Sequence, residues 1–315
     1  MVLFAILFLG VSCNEASEKE QEIQNIPVSL LVHRFDEKIF QAGQQDFPLL
    51  KEEYPYLFSK QIPDSVWRQR LSDPLQKELL AEVNKKFSDF SGVEYELENF
   101  FKHMKYYISD FQVPEILTLT NDVDYRNNLI VTDSLVLIAL DNYLGAEHKY
   151  YENIPRYLAS NMKPDMIVSD LAQNYALRYV EQLNPRTFLD EMILQGKQLY
   201  FKDLMLPSTS DALKIGYSEE QLLWARKNES SIWSYFVENE LLYSTDSKLN
   251  SRFINPAPYS KFYLEIDNES PGRLGVYMGW QIVRAYANRS GKGLDAVMRT
   301  PAEVVFKESK FKPKK

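Results

Sequence analysis

Three histidines, one cysteine and a few clustered carboxylates are the side chains of this 315-residue chain with the clearest capacity for chemistry. His33, His103 and His148 lie far apart, so no two can share a helix face as paired zinc ligands do. No HExxH, no GxSxG nucleophile turn, no glycine-rich phosphate loop and no CxxC pair can be written from the sequence. Each histidine therefore reads as an ordinary helix or loop residue, and no metal or cofactor is expected. Asp122, Asp124 and Asp133 fall close together. Oxygen ligands near one another in sequence suit calcium. Asp and Asn also bond their own backbone in turns, which accounts for this cluster without an ion.

The remaining candidate is Cys13, the only thiol. It follows an apolar run, Val2 to Leu9, and the small-residue stretch Gly10-Val11-Ser12. At roughly ten residues the run is too short to span a bilayer and reads as the core of a secretory signal. Small residues before a cysteine resemble a bacterial lipobox, in which the cysteine is lipidated and becomes the first mature residue. The alternative is a secreted chain in which Cys13 is discarded with the signal. Residues 1–12 are thus expected to be a signal peptide. Residues 13–25, polar and acidic around Glu15, Glu18, Glu20 and Glu22, are expected to be a flexible tether.

Composition excludes several classes. A net charge of −8 argues against phosphate-driven nucleic-acid binding. A 45% hydrophobic content with 20 Tyr and 18 Phe is ample for a core. With a single cysteine no internal disulfide can form, so packing alone must hold the exported domain. The basic end, 306–315, reads as a solvated tail.

The elements that must position any site follow from periodicity. Residues 28–40 read as a strand running into a helix, and Asp73-Pro74 opens a helix with an N-cap and an N1 proline. Residues 94–108 are amphipathic with Leu97, Phe100, Phe101, Met104 and Tyr107 inward. The period then changes: 115–120 and 128–140 read as strands joined across Asn121-Asp122-Val123-Asp124. Beyond Tyr150 helices dominate, at 165–183, 187–202, 218–228, 230–243 and 273–288. The fold class is α+β, predominantly helical, with a small-sheet subdomain at 26–160 and a helical subdomain at 161–315.

The strings FPLLKEEYPYLF (47–58), KIGYSEEQLLWARKNESSIWSYF (214–236), LLYSTDSKLNSRFI (241–254) and APYSKFYLEIDNESPGRLGVYMGWQIVRAY (257–286) resemble the gliding-motility lipoprotein GldB family of Bacteroidetes. The resemblance covers nearly the whole mature chain. It implies a membrane-anchored lipoprotein of the cell envelope, facing the periplasm from the inner or outer membrane. Such a protein is required for gliding and linked to type IX secretion, and no catalytic residues come with the family. Its partners would be other gliding and secretion proteins of the envelope.

A fainter resemblance is to zincin-type metallopeptidases. Ser169, Asp170 and Gln173 stand where HExxH would place His, Glu and His, and Gln195 stands where a third ligand would precede a glycine. Ser and Gln are poor zinc ligands, which implies a scaffold without its metal and a groove left free to bind peptide. A non-enzymatic binding role is therefore expected, with a peptidase or cell-wall hydrolase and a periplasmic chaperone as alternatives. Cys13→Ser is expected to abolish incorporation of labelled palmitate and to release the chain from the membrane fraction. Retention of label would place the anchor elsewhere.

Overall fold

The computed structural model describes residues 11–180, 185–265 and 267–314, with side chains from residue 18 onward. Most of the expected signal peptide, residues 1–10, lies outside the described residues, and of Cys13 only the backbone is described. The stretch read as a flexible tether is instead a helix, α1 (Val11–Gln24). Its polar sequence cannot fold alone, but it needs only a few anchors to dock. Ile23 is buried, Lys19 Nζ sits 4.6 Å from the Tyr107 ring centroid, and Glu20 Oε2 lies 3.3 Å from His103 Nε2.

Strand β1 (Val32–Arg34) leads directly into α2 (Phe35–Gln41), followed by α3 (Phe47–Glu53) and α4 (Asp64–Ser72). In α5 (Pro74–Lys86) the Asp73 carboxylate accepts the Leu75 N–H at 2.8 Å, the expected N-cap. Helix α6 (Ser91–Tyr107) buries Leu97, Phe100, Phe101 and Met104 completely. Then come β2 (Glu115–Leu119), β3 (Leu129–Val131) and β4 (Leu135–Ala139), in the sheet order β1-β2-β4-β3. β2 runs parallel to β1 and β4, and only β3 is antiparallel, to β4.

This corrects the expected pairing. Residues 128–140 are two strands, because Thr132-Asp133-Ser134 makes a turn in which Thr132 Oγ1 accepts the Leu135 N–H at 3.0 Å. Residues 121–124 form a crossover corner rather than a hairpin. Asp122 and Val123 there take φ of 63° and 58°, a left-handed conformation costly for a β-branched residue. The buried Asp141 carboxylate stabilises it, accepting the N–H of Asn121 at 3.1 Å and of Val123 at 2.7 Å. Burial pushes the Asp141 carboxyl up to about 6 against the pull of those donors.

The second half is helical: α7 (Arg156–Ala159), α8 (Ile167–Tyr179), α9 (Phe188–Met205), α10 (Asp211–Ile215), α11 (Glu219–Lys227), α12 (Glu229–Glu238) and α13 (Lys248–Phe253). α14 (Leu274–Ser290), α15 (Leu294–Arg299) and α16 (Ala302–Ser309) complete it. Both α9 and α11 open on capping boxes, Thr187 with Asp190 and Ser218 with Gln221. The C-terminal tail keeps Lys307, Lys310, Lys312 and Lys314 exposed, as expected of a solvated basic end, but is also docked. Phe311 packs edge-on against Trp233 at 5.3 Å, and the Lys314 N–H donates to the buried Glu229 at 2.8 Å.

Period-two alternation on β2 feeds two cores, with Ile116 entering the large one and Leu117 a small aromatic one around Phe35, Phe47 and Phe58. The large core joins the sheet to α6, α8 and the C-terminal turns of α9 through Phe201 and Met205, and so runs across residue 160. A third core gathers the N-terminal turns of α9 with α12, α13 and α14. Helix α9 therefore belongs to both large cores. It crosses α14 at Gly196 and Gly279, with backbones in direct contact: a Cβ on Gly279 would lie 1.7 Å from the Met192 carbonyl oxygen.

Gly279→Ala must therefore push the two central helices apart. The expected loss is on the order of 3 kcal/mol of stability, read from urea unfolding. Gly92→Ala, whose added Cβ meets nothing within 4 Å, is the control and should be neutral or slightly stabilising. Equal behaviour of the two would refute the crossing.

Candidate functional site: a buried polar ladder beside an open sheet edge

Helix α8 starts after Pro164 and turns Ile167, Val168, Leu171 and Ala172 into the core. Its polar positions 169 and 173, one turn apart, face α9. Ser169 is buried, accepts a hydrogen bond from Lys202 Nζ at 3.1 Å and donates to the Leu213 carbonyl at 3.1 Å. Lys202 is also buried and donates to the Lys214 carbonyl at 3.0 Å. One turn along, Gln173 donates to Gln198. The antiparallel pair α8–α9 is thus joined by two polar rungs, Ser169–Lys202 and Gln173–Gln198.

Asp170 points the other way, toward the sheet. Its Oδ2 accepts from Tyr143 OH at 3.0 Å and from Asn128 Nδ2 at 2.9 Å, while Asn128 Nδ2 also lies 2.8 Å from Tyr143 OH. Burial raises the Asp170 carboxyl, opposed by the charge of Lys202 and the bonds from Tyr143 and Asn128. Burial drives Lys202 down to about 7 against the pull of Asp170, and the charge of Arg273 lowers it further. The Tyr143 hydroxyl is held well above its ordinary range, first by burial and then by Asp170.

Of the four positions singled out from sequence, Ser169 and Gln173 form the two rungs, Asp170 faces the sheet from the same helix, and Gln195 stands apart. Gln195 is part-buried one turn before Gln198 on α9 and shares no bond with Ser169, Asp170 or Gln173. The groups that answer them are Gln198 and Lys202, which periodicity alone registered only as helix positions. A pair of polar residues at i and i+4 on an otherwise apolar helix face was the available signal.

The histidines occupy three separate places: His33 lies 3.1 Å from Glu115, His103 near Glu20 and His148 3.4 Å from Glu82. Asp122 pairs with Arg70, Asp124 accepts the Arg126 N–H and Asn127 Nδ2, and Asp133 pairs with Arg178. Among the described residues, no three His, Cys, Asp or Glu side chains converge as a metal would require. The Ser169 side chain is buried and donates to the Leu213 carbonyl, so its contact with Lys202 joins α8 to α9.

A second ionic cluster secures α9 to its other neighbours. Arg284 of α14 forks onto Asp203 at 2.6 and 2.7 Å and onto Asp211 of α10 at 2.7 and 3.0 Å, with its guanidinium 3.7 Å above the Trp280 ring. Burial alone would raise Asp211, but the bonds and charge of Arg284 hold it down at about 2.

Beside Asn128 lies the end of the sheet. The Ala139 N–H donates to the Asn128 carbonyl at 2.9 Å and the Thr132 N–H to the Leu135 carbonyl at 2.8 Å. In an antiparallel ladder such bonded positions alternate, so Ile130 also turns its polar groups to β4. Leu129 and Val131 therefore direct their N–H and C=O groups away from β4; Leu129 is buried, and Val131 is part-exposed.

A family model described as gliding motility protein GldB matches residues 16–313 of the chain. No curated protein and no solved structure matches it.

The buried Lys202 makes stability rise with pH. In the unfolded chain the amine keeps its proton up to about its ordinary 10.5, whereas in the fold it releases it near 7. Between those values the unfolded state binds more protons, so unfolding becomes harder as pH rises, by up to ~1.4 kcal/mol per pH unit. Urea unfolding from pH 7 to 9.5 is expected to show that slope in the wild type and to lose it in Lys202→Met. A wild-type profile that is flat or falls would show that Lys202 stays protonated.

Proposed function

The chain belongs to the GldB family of gliding-motility proteins, and on that premise we propose that it is a lipid-anchored envelope protein that works by binding another envelope protein rather than by catalysis. The anchor is Cys13, and the folded domain faces the periplasm as part of the gliding and type IX secretion machinery. The observation that carries the binding role is the outward-facing, part-exposed backbone of Val131 on the edge strand β3, beside the Asn128–Tyr143–Asp170 cluster. An extended segment of a partner can add there as a further strand, its backbone pairing with groups that have no neighbouring strand. Ile130, 45% exposed, offers an apolar contact alongside.

The same geometry favours reading the α8–α9 pair as a peptidase-like scaffold turned to binding. An antiparallel edge strand lies against the helix that carries Ser169, Asp170 and Gln173. Across from them α9 offers an amide and an ammonium, Gln198 and Lys202, in place of a metal-binding carboxylate. Those residues support packing between the helices, and the rim at Asn128 and the β3 edge are left to meet a peptide.

Val131→Pro removes one outward N–H while leaving the bonds to β4 intact, since proline is tolerated on edge strands. In a strain lacking the gene, this variant is expected to accumulate to the wild-type level yet fail to restore colony spreading. A photo-crosslinking residue at position 130 should trap an envelope protein in the wild-type background but not with Val131→Pro. Normal spreading of the Val131→Pro strain would sink the edge-pairing mechanism, and normal spreading of the deletion strain would sink the motility role itself.

A further inference from the structure

The opposite face of the sheet carries a second feature that neither β3 nor the polar ladder explains. A cavity of about 280 Å³ lies under α2 to α5, with walls from Phe47, Phe58, Trp67, Leu71, Leu80 and Leu119. It is small for a ligand pocket, at the low end of the common range of about 300–1,000 Å³, so it suits one slender chain rather than a two-tailed lipid. Two features distinguish it from a packing defect. The indole nitrogen of Trp67, a wall residue, is inaccessible to solvent and has no hydrogen-bond partner among the described residues, so the wall is not fully satisfied by its own packing. The rim is polar and carries an excess of positive charge. Arg70 is taken up by Asp122 at 2.6 Å, and Asp122 also receives Gln76 at 2.8 Å, while Lys77 beside them is exposed and forms no ion pair among the described residues.

The surface next to the mouth is also apolar. Leu75, two residues before Lys77, is 72% exposed, and Val66, next to Trp67, is 49% exposed. The rim itself is set rigidly, because Asp122 belongs to the left-handed corner that Asp141 holds.

We propose that this cavity binds a single-chain, monoanionic amphiphile of the fatty-acid type, its acyl chain among Phe58, Trp67 and Leu80 and its carboxylate at the rim beside Lys77. The carboxylate compensates the Lys77 charge, which has no ion-pair partner among the described residues, and the chain fills the aromatic walls. The site is separate from β3 and does not depend on the binding role assigned to that edge.

Membranes carrying the full chain are treated with a decanoate analogue bearing a diazirine at its far end, irradiated, and the labelled peptides mapped. Label is expected within residues 47–80 and to be removed by excess decanoate but not by decanol. It should fall at least about tenfold in Leu80→Phe, which fills the cavity, and severalfold in Lys77→Glu, which reverses the rim charge and leaves the core untouched. Label spread over the chain, or label in that segment that Lys77→Glu leaves unchanged, would overturn the proposal. Equal competition by decanol would overturn the anionic assignment. Competition by lysophosphatidylglycerol and not by decanoate would place the chain in a membrane lipid rather than a free acid, and would overturn the fatty-acid assignment.

Discussion

Two glycines set the geometry on which the rest of the molecule depends. Gly196 and Gly279 let α9 and α14 cross with backbone against backbone, closer than any side chain permits. Burial of apolar surface is non-directional, so it could be satisfied by many arrangements of these helices. A crossing that only glycine allows is not interchangeable, and it holds α9 in one position relative to both large cores. Met192 and Ile193 then pack on α14, while Phe201 and Met205 reach the sheet-side core. Arg284 reinforces the same junction from the other side by gathering Asp203 and Asp211 onto α14.

With α9 so placed, its polar face must meet α8, and the ladder follows. A lysine and a glutamine directed into a helix–helix seam are costly to bury unless each finds a partner. Ser169, Gln173 and the Lys214 carbonyl supply those partners. The residual cost appears as the downward displacement of Lys202 and the upward displacement of Asp170, whose mutual attraction offsets only part of their burial. Such a pair adds little net stability, but it penalises any sliding of α8 along α9, since a one-turn shift would leave a buried amine without acceptors. The neighbouring contact of Asp170 with Asn128 and Tyr143 carries that register on to the sheet edge.

The sheet then presents two different faces. At β3 the register turns the backbone polar groups of every second residue away from β4. On the far side the small aromatic core is incompletely filled, and its rim combines a strained corner with a cation that has no ion-pair partner among the described residues. Both features come from short elements at the margins of the fold, where packing is least demanding and function is most easily accommodated.

Local chemistry was readable from residue order wherever it is settled within a few positions. Asp73-Pro74, Thr187 with Asp190, and Ser218 with Gln221 announce helix starts by capping hydrogen bonds that span three residues at most, and the apolar spacing of 97–104 sets the buried face of α6. The extended strings also carried the family. What residue order left open was decided by distant contacts. The polar segment 13–25 has no core of its own and becomes a docked helix only because α6 offers His103, Tyr106 and Tyr107. Residues 121–124 have turn composition, and only Asp141, brought in by the end of β4, makes them a crossover corner rather than a hairpin. Ser169 and Gln173 were visible as polar intrusions on α8, but their partners could be Gln198 and Lys202 rather than Gln195 only once the Gly196–Gly279 crossing had set the height of α9, a contact between residues 83 positions apart whose energy no local pattern encodes.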